Sequence, residues 1–174
     1  MKKFEFAIIA SGLDHEAENF EDLFYEAGCA DATLSFQKGV IIVEFNRRAV
    51  SFSQAVISAC QNILDAGAKI ERIEPDHLVS LSEISDRCAL TKQAISLYGN
   101  AKRGSEFPNP VAKITSKHPL YDWSEVAEWL YNNGKLPLDE LVQARIVKEA
   151  NVYLESSELP DDNFTRKLEA LEIA

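Results

Sequence analysis

Hydrophobic and polar positions follow two periods along the first 75 residues. Lys3-Phe4-Glu5-Phe6 alternates and then runs apolar through Ala7-Ile8-Ile9-Ala10, the pattern of a strand that grows more buried along its length. Phe20, Leu23, Phe24 and Ala27 then recur at helical spacing, predicting a helix over 16–27 that Gly28 stops. Thr33 to Phe36 and Val40 to Phe45 return to strand character, and Gln37-Lys38-Gly39 between them predicts a hairpin. Ser51 or Ser53 can cap a second helix carrying Ala55, Val56, Ala59, Ile63 and Leu64 on one face and ending at Gly67. Lys69 to Glu74 alternates again before Pro75 ends it.

The order strand, helix, strand, strand, helix, strand predicts a split βαβ, ferredoxin-like domain over residues 1–75. Its boundary falls at Glu74-Pro75-Asp76-His77, where a proline and polar residues separate two patterns.

Beyond the boundary, Ser80-Leu81-Ser82-Glu83 is a capping box, in which a hydroxyl reaches the fourth residue's amide and the glutamate returns the bond. The helix that follows shares Leu81, Ile84 and Cys88 on one face. Ala89-Leu90 turns the chain, and Thr91 caps a second helix with Ala94, Ile95 and Tyr98 inward. Two short helices braced by these apolar positions meet the requirement for a helix-turn-helix. Ser85 and Ala89 stand where alanine and glycine are usual in that motif, which puts the backbone of the turn in question. The outer face of the second helix holds Thr91, Lys92, Gln93, Ser96 and Asn100, short polar or basic groups suited to base edges and phosphates; any solvated helix face also has this composition.

Val111 to Ile114 and Leu120-Tyr121 read as two short strands around Thr115-Ser116-Lys117-His118-Pro119. A basic two-stranded loop in this place is a wing, from which Lys113, Lys117 and His118 reach phosphate or the minor groove. Trp123, Val126, Trp129 and Leu130 then line the inner face of an amphipathic helix. After Asn132-Asn133-Gly134-Lys135-Leu136-Pro137, residues 138–174 are predicted to be helical. A long helix from Asp139 to about Ser156 carries a stripe of Leu138, Leu141, Val142, Ile146, Ala150 and Tyr153, and a short one covers 164–171. The stripe is equally suited to a dimer face or to packing on its own chain.

Charge sharpens this picture. The net charge of −10 opposes nucleic-acid binding when taken as a sum, but the three segments 1–79, 80–118 and 119–174 carry −6, +3 and −7. Only the central segment is basic, so DNA would meet that segment while the flanks face away.

The run from Leu81 to Leu130 resembles the excisionase and MerR-type winged helix-turn-helix family. The residues that carry the resemblance are Leu81-Ser82-Glu83-Ile84, Thr91-Lys92-Gln93-Ala94-Ile95, Phe107-Pro108-Asn109-Pro110-Val111 and Trp123-Ser124-Glu125-Val126-Ala127-Glu128-Trp129-Leu130. It implies a DNA-binding domain over 79–131 whose second helix enters the major groove. Thr91, Lys92, Gln93 and Ser96 would read bases, and Lys102, Arg103, Lys113 and Lys117 would hold phosphates.

The expectation is therefore an α+β chain: a ferredoxin-like domain, a winged helix-turn-helix, and C-terminal helices suited to dimerisation. Its function would be sequence-specific binding of double-stranded DNA in a bacterial or phage-type regulator, acting as a homodimer, with a small-molecule or protein effector for the N-terminal domain. An adaptor that docks a protein through the helix-turn-helix is the alternative. No enzyme is expected, because no G-x-G-x-x-G, P-loop, G-x-S-x-G or H-E-x-x-H occurs. His15, His77 and His118 lie apart from any cysteine or carboxylate spacing that suits a metal, so neither metal nor cofactor is predicted. Cys29, Cys60 and Cys88 are odd in number and widely spaced, and with no signal peptide or membrane span in the sequence they predict reduced thiols and a cytoplasmic location.

Overall fold

Strand β1 (Lys2–Ser11) buries Phe6, Ile8 and Ala10 while its odd-numbered neighbours stay more open, so the alternation read from the sequence is the alternation of its two faces. The computed structural model describes residues 1–100, 106–156 and 159–173. It has a mixed α+β architecture that divides into two units, Met1–Pro75 with Glu149–Ala174, and Asp76–Lys148. Among the described residues no helix is long and apolar enough to cross a membrane.

In the first unit β1 is followed by α1 (Phe20–Glu26), β2 (Ala32–Gln37), β3 (Val40–Ala49), α2 (Phe52–Asp65) and β4 (Lys69–Glu74). The four strands form one sheet in the order β2-β3-β1-β4, antiparallel at each pairing. Gln37 pairs with Val40 across a two-residue turn in which Lys38 and Gly39 take φ of 53° and 83°. Two consecutive left-handed residues make the turn whose twist matches a hairpin, and glycine at the second position removes half the strain. Ser51 caps α2 by accepting from Gln54 N at 3.2 Å. Phe52, Val56, Ala59 and Ile63 on α2 are buried together with Ile41, Val43 and Phe45 of β3.

Two element bounds differ from the sequence pattern, and one charged side chain is buried. Helix α1 begins at Phe20 rather than at 16, because the Asp14 carboxylate accepts from Glu16 N at 3.0 Å and the Asp14 carbonyl accepts from Ala17 N, which holds that stretch in turns. Strand β3 runs on past Phe45 to Ala49, paired with β1. Arg47 of β3 is buried beneath α2. Its Nε and Nη2 donate to the two Asp31 carboxylate oxygens at 2.9 Å each, Nη1 to Ser58 and Asn62, and Nη2 also to the Gly28 carbonyl. The guanidinium lies 4.7 Å over the Phe45 ring. Hydrogen bonding to Arg47 holds the Asp31 carboxyl below the usual carboxylate range.

Helix α6 (Leu138–Ser156) and α7 (Asp162–Ile173) complete the chain. Leu141, Ile146, Ala150 and Tyr153 of the predicted stripe are buried within the chain, whereas Leu138 is exposed. That burial agrees with the second of the two uses open to the stripe, packing on its own chain. Residues 138–174 do not form a segment of their own either, since Leu138–Lys148 belongs to the second unit and the remainder to the first. In the first unit α7 packs on α2, and Glu172 accepts from Ser53 N at 2.8 Å in the first turn of α2.

Cys29 and Cys60 are buried, Cys88 is half-buried, and all three are free thiols. Burial pushes the Cys29 thiol up to about 11 and the Cys60 thiol up to about 12. Because the thiolate is the reactive form, a thiol reagent at pH 8 is expected to modify Cys88 first and the other two only on unfolding. Uniformly fast labelling of three thiols in the native protein would contradict this burial.

Candidate nucleic-acid interface

The second unit opens with β5 (Leu78–Val79) and α3 (Leu81–Arg87). At the start of α3 the capping box is complete: Ser80 Oγ accepts from Glu83 N, and Ser80 N donates to Glu83 Oε2 at 2.7 Å. The backbone hydrogen bond from Ser80 holds the Glu83 carboxyl below its usual range. The helix stops at Cys88, which is extended with φ −128° and ψ 163°. Three residues later Thr91 Oγ1 accepts from Ala94 N at 3.1 Å and starts α4 (Lys92–Gly99).

The turn between these helices resolves the two departures noted in the sequence. Ala89 is not among the residues with positive φ, so the turn needs no glycine there. Ser85 donates its hydroxyl to the Leu90 carbonyl at 2.9 Å, a bond that alanine cannot make, which ties α3 to the turn. At the other end of the pair a Cβ on Gly99 would lie 3.0 Å from both Leu81 methyls and 3.2 Å from the Tyr121 hydroxyl. Glycine at the end of α4 thus permits the close approach to the start of α3. Nothing in the local spacing marks this glycine, because the need for it comes from Leu81, 18 positions away.

Ile84 and Ile95 are fully buried and share a core with Val79, Tyr121, Val126, Leu130 and Leu141. Tyr98 and Phe107 stack at 6.0 Å, and both meet Trp129 edge-on at 4.8 and 5.2 Å. These aromatic contacts fasten α4 and the Phe107 segment to α5 (Trp123–Asn132). Asp122 caps α5 by accepting from Ser124 N and Oγ and pairs with Lys148. Burial pushes the Asp122 carboxyl up, but the bonds from Lys148 and Ser124 outweigh it and hold the group below the carboxylate range.

With Ile95 facing inward, Thr91, Lys92, Gln93 and Asn100 are exposed and Ser96 is half-buried. Lys92, Gln93, Ser96 and Asn100 fall within about 100° of arc around the helix axis, from its repeat of 3.6 residues per turn. Their availability differs. Thr91 Oγ1 is engaged as the cap, and Asn100 Nδ2 donates to Ser96 O and Oγ at 2.8 and 3.2 Å. Lys92 Nζ lies 4.0 Å from Asp86, with both side chains about two-thirds exposed, a contact too weak to hold it. Gln93 and Lys92 are therefore the side chains most open to an incoming partner.

The predicted wing takes a different form. In place of strands over 111–114 and 120–121 there is a single bridge, Ala112 to Leu120, with Leu120 N donating to Ala112 O at 2.9 Å. Lys113 takes a left-handed φ of 49°, which ends the pairing and starts a turn closed by Ser116 N on Lys113 O at 2.9 Å. The returning chain becomes β6 (Tyr121–Asp122), which pairs with β5 rather than with the outgoing arm. Lys113, Lys117 and His118 are all exposed on this turn. Lys102 and Arg103, expected to hold phosphates, lie outside the described residues. Arg87, the remaining base of the basic segment, is used internally: it donates to the Asp76 carbonyl at 2.7 Å and lies 5.4 Å over the Trp123 ring.

Among the described residues no group of three or more His, Cys, Asp or Glu is disposed to hold a metal. No protein-family model matches the chain, and neither does a curated protein or a solved structure.

Proposed function

We propose that residues 79–131 form a winged helix-turn-helix that binds double-stranded DNA sequence-specifically, and that the chain is a transcriptional regulator. The observation that carries this reading is the two-sidedness of α4. Ile95 anchors the helix in the core while Lys92 and Gln93 stand open on the other side, and a separate turn of the same unit exposes Lys113, Lys117 and His118. Gln93 is suited to pair bidentately with adenine and Lys92 to accept-rich guanine, while the cations of the turn are suited to phosphates. The element order of the first unit, with its sheet order β2-β3-β1-β4, supports the ferredoxin-like reading and a sensing or pairing role for that unit.

Selection of bound duplexes from a random pool tests the reading. The expected result is an enriched motif, with Gln93→Ala losing about 1–3 kcal/mol of discrimination at one position of it. A pool that stays random after repeated rounds would leave the adaptor reading in its place.

A further inference from the structure

The sheet of the first unit has two edges, and the fold treats them differently. At β4 the Asn151 side chain accepts from Ile73 N at 2.8 Å and donates to Ile73 O at 2.9 Å, satisfying the backbone as another strand would. Arg72 pairs with Glu155 beside it. A strand edge covered in this way is closed to further pairing.

Strand β2 is the opposite edge. The Asp31 carbonyl accepts from Asn46 N at 3.0 Å, which fixes the alternation of the β2–β3 ladder. Residues 31, 33, 35 and 37 then bond to β3, and the N–H and C=O groups of Leu34 and Phe36 turn outward. Nothing in Ala32–Gln37 is charged, so the strand lacks the lysines that commonly guard an edge. Beside it lies a groove of about 410 Å³ whose far wall is α1, contributing Glu21, Asp22 and Tyr25, and whose near wall includes Ala32 and Leu34. Tyr25 is 69 % exposed, and α1 carries no basic residue.

From this combination we infer that the β2 edge and its groove bind an extended peptide segment of a partner protein, with lysine or arginine at alternate positions, by strand addition. The outward groups of Leu34 and Phe36 supply the main-chain bonds. Alternate side chains of the added strand point toward α1, where Glu21 and Asp22 attract cations and the Tyr25 ring offers a face for one of them. A second copy of this chain fits less well, because its own α1 would bring carboxylates toward carboxylates. The inference concerns the first unit and is independent of the DNA-binding reading.

The test uses the full chain and a fluorescein-labelled heptapeptide, Lys-Val-Lys-Val-Lys-Val-Lys, followed by anisotropy. Saturable binding is expected, with slowed hydrogen exchange at the Leu34 and Phe36 amides. Leu34→Pro removes an outward N–H that the ladder does not use, so the fold should persist while affinity falls by about tenfold. Asp22→Lys provides a second variant that touches no backbone bond and should weaken binding by a similar factor. Unchanged affinity in both variants, equal binding of the Glu-Val counterpart, the absence of saturation, or assembly of two copies through β2 would overturn the proposal.

Discussion

Replacing Arg47 by alanine is expected to destabilise the protein by about 3 kcal/mol, at the lower end of what loss of one partner costs in a buried ion pair. The guanidinium donates to every partner in a node that joins β3, the loop after α1, and α2. Without it Asn62 Oδ1 and the Gly28 carbonyl lose a donor, and the stack on Phe45 is lost. The lower end applies because the Asp31 side chain is 34 % exposed and can recover water. Arg47→Lys should recover only part of the loss, since an ammonium cannot meet both carboxylate oxygens in a fork. The pair also predicts a pH dependence. A carboxyl whose folded pKa lies below its unfolded value contributes stability that is fully present above the unfolded value. That contribution is lost as pH falls through the folded one. Denaturant titrations should show this acid loss, below about pH 4, in the native sequence and a weaker one in Arg47→Ala. A change under about 1 kcal/mol on truncation would mean the node contributes little.

The second large effect is expected at Ile95. Truncation to alanine in a fully buried site costs roughly 2–5 kcal/mol, from lost transfer energy and the cavity left behind. Ile95 lies in the same core as Ile84, Val79 and Tyr121, so the loss falls on the contact that holds α4 in place. Chemical denaturation should show the weakened unit. Binding to a selected duplex should fall even where the chain remains folded, because Lys92 and Gln93 are positioned by that contact. Ile95→Val, which removes one methyl group, should cost only about 0.5–1.5 kcal/mol and serves as the graded control. Equal stability of the alanine variant and the native protein would show that α4 does not depend on this core.

The features legible in the sequence are those fixed by neighbours. The Ser80–Glu83 box, the Thr91 cap and the Lys38-Gly39 turn each depend on residues within three positions of one another, and each is found where the pattern places it. The bounds of β4 were equally plain, because alternation stops at a proline. What escaped depends on distant partners. Asn151 is a polar residue on a helix until Ile73 is seen beside it, 78 positions earlier. The β5–β6 pair is two residues long and joins segments more than 40 positions apart, too little for periodicity to register. For Arg47 a signal did exist: it shares strand parity with the buried Ile41, Val43 and Phe45, whereas the adjacent Arg48 does not. The identity of the residue concealed what its position indicated.

At the candidate interface the sequence identified the exposed polar face of α4 but not which of its members are already engaged. Hydrogen bonds within the helix occupy Thr91, Ser96 and Asn100, leaving Lys92 and Gln93 as the groups to change first. The basic turn was legible, but the two strands expected around it, 111–114 and 120–121, reduce to one bridge, because the left-handed Lys113 that ends the pairing has no signature in side-chain type.

The most direct test is the salt dependence of binding to a selected duplex, measured between 50 and 200 mM salt (about the range over which phosphate contacts are read) for the native chain and for the double variant Lys113→Ala with Lys117→Ala. A linear fall of log affinity with log salt is expected, with a slope shallower by about 2 in the variant, one for each phosphate contact removed. Salt-insensitive retention, or the same slope in both proteins, would contradict it.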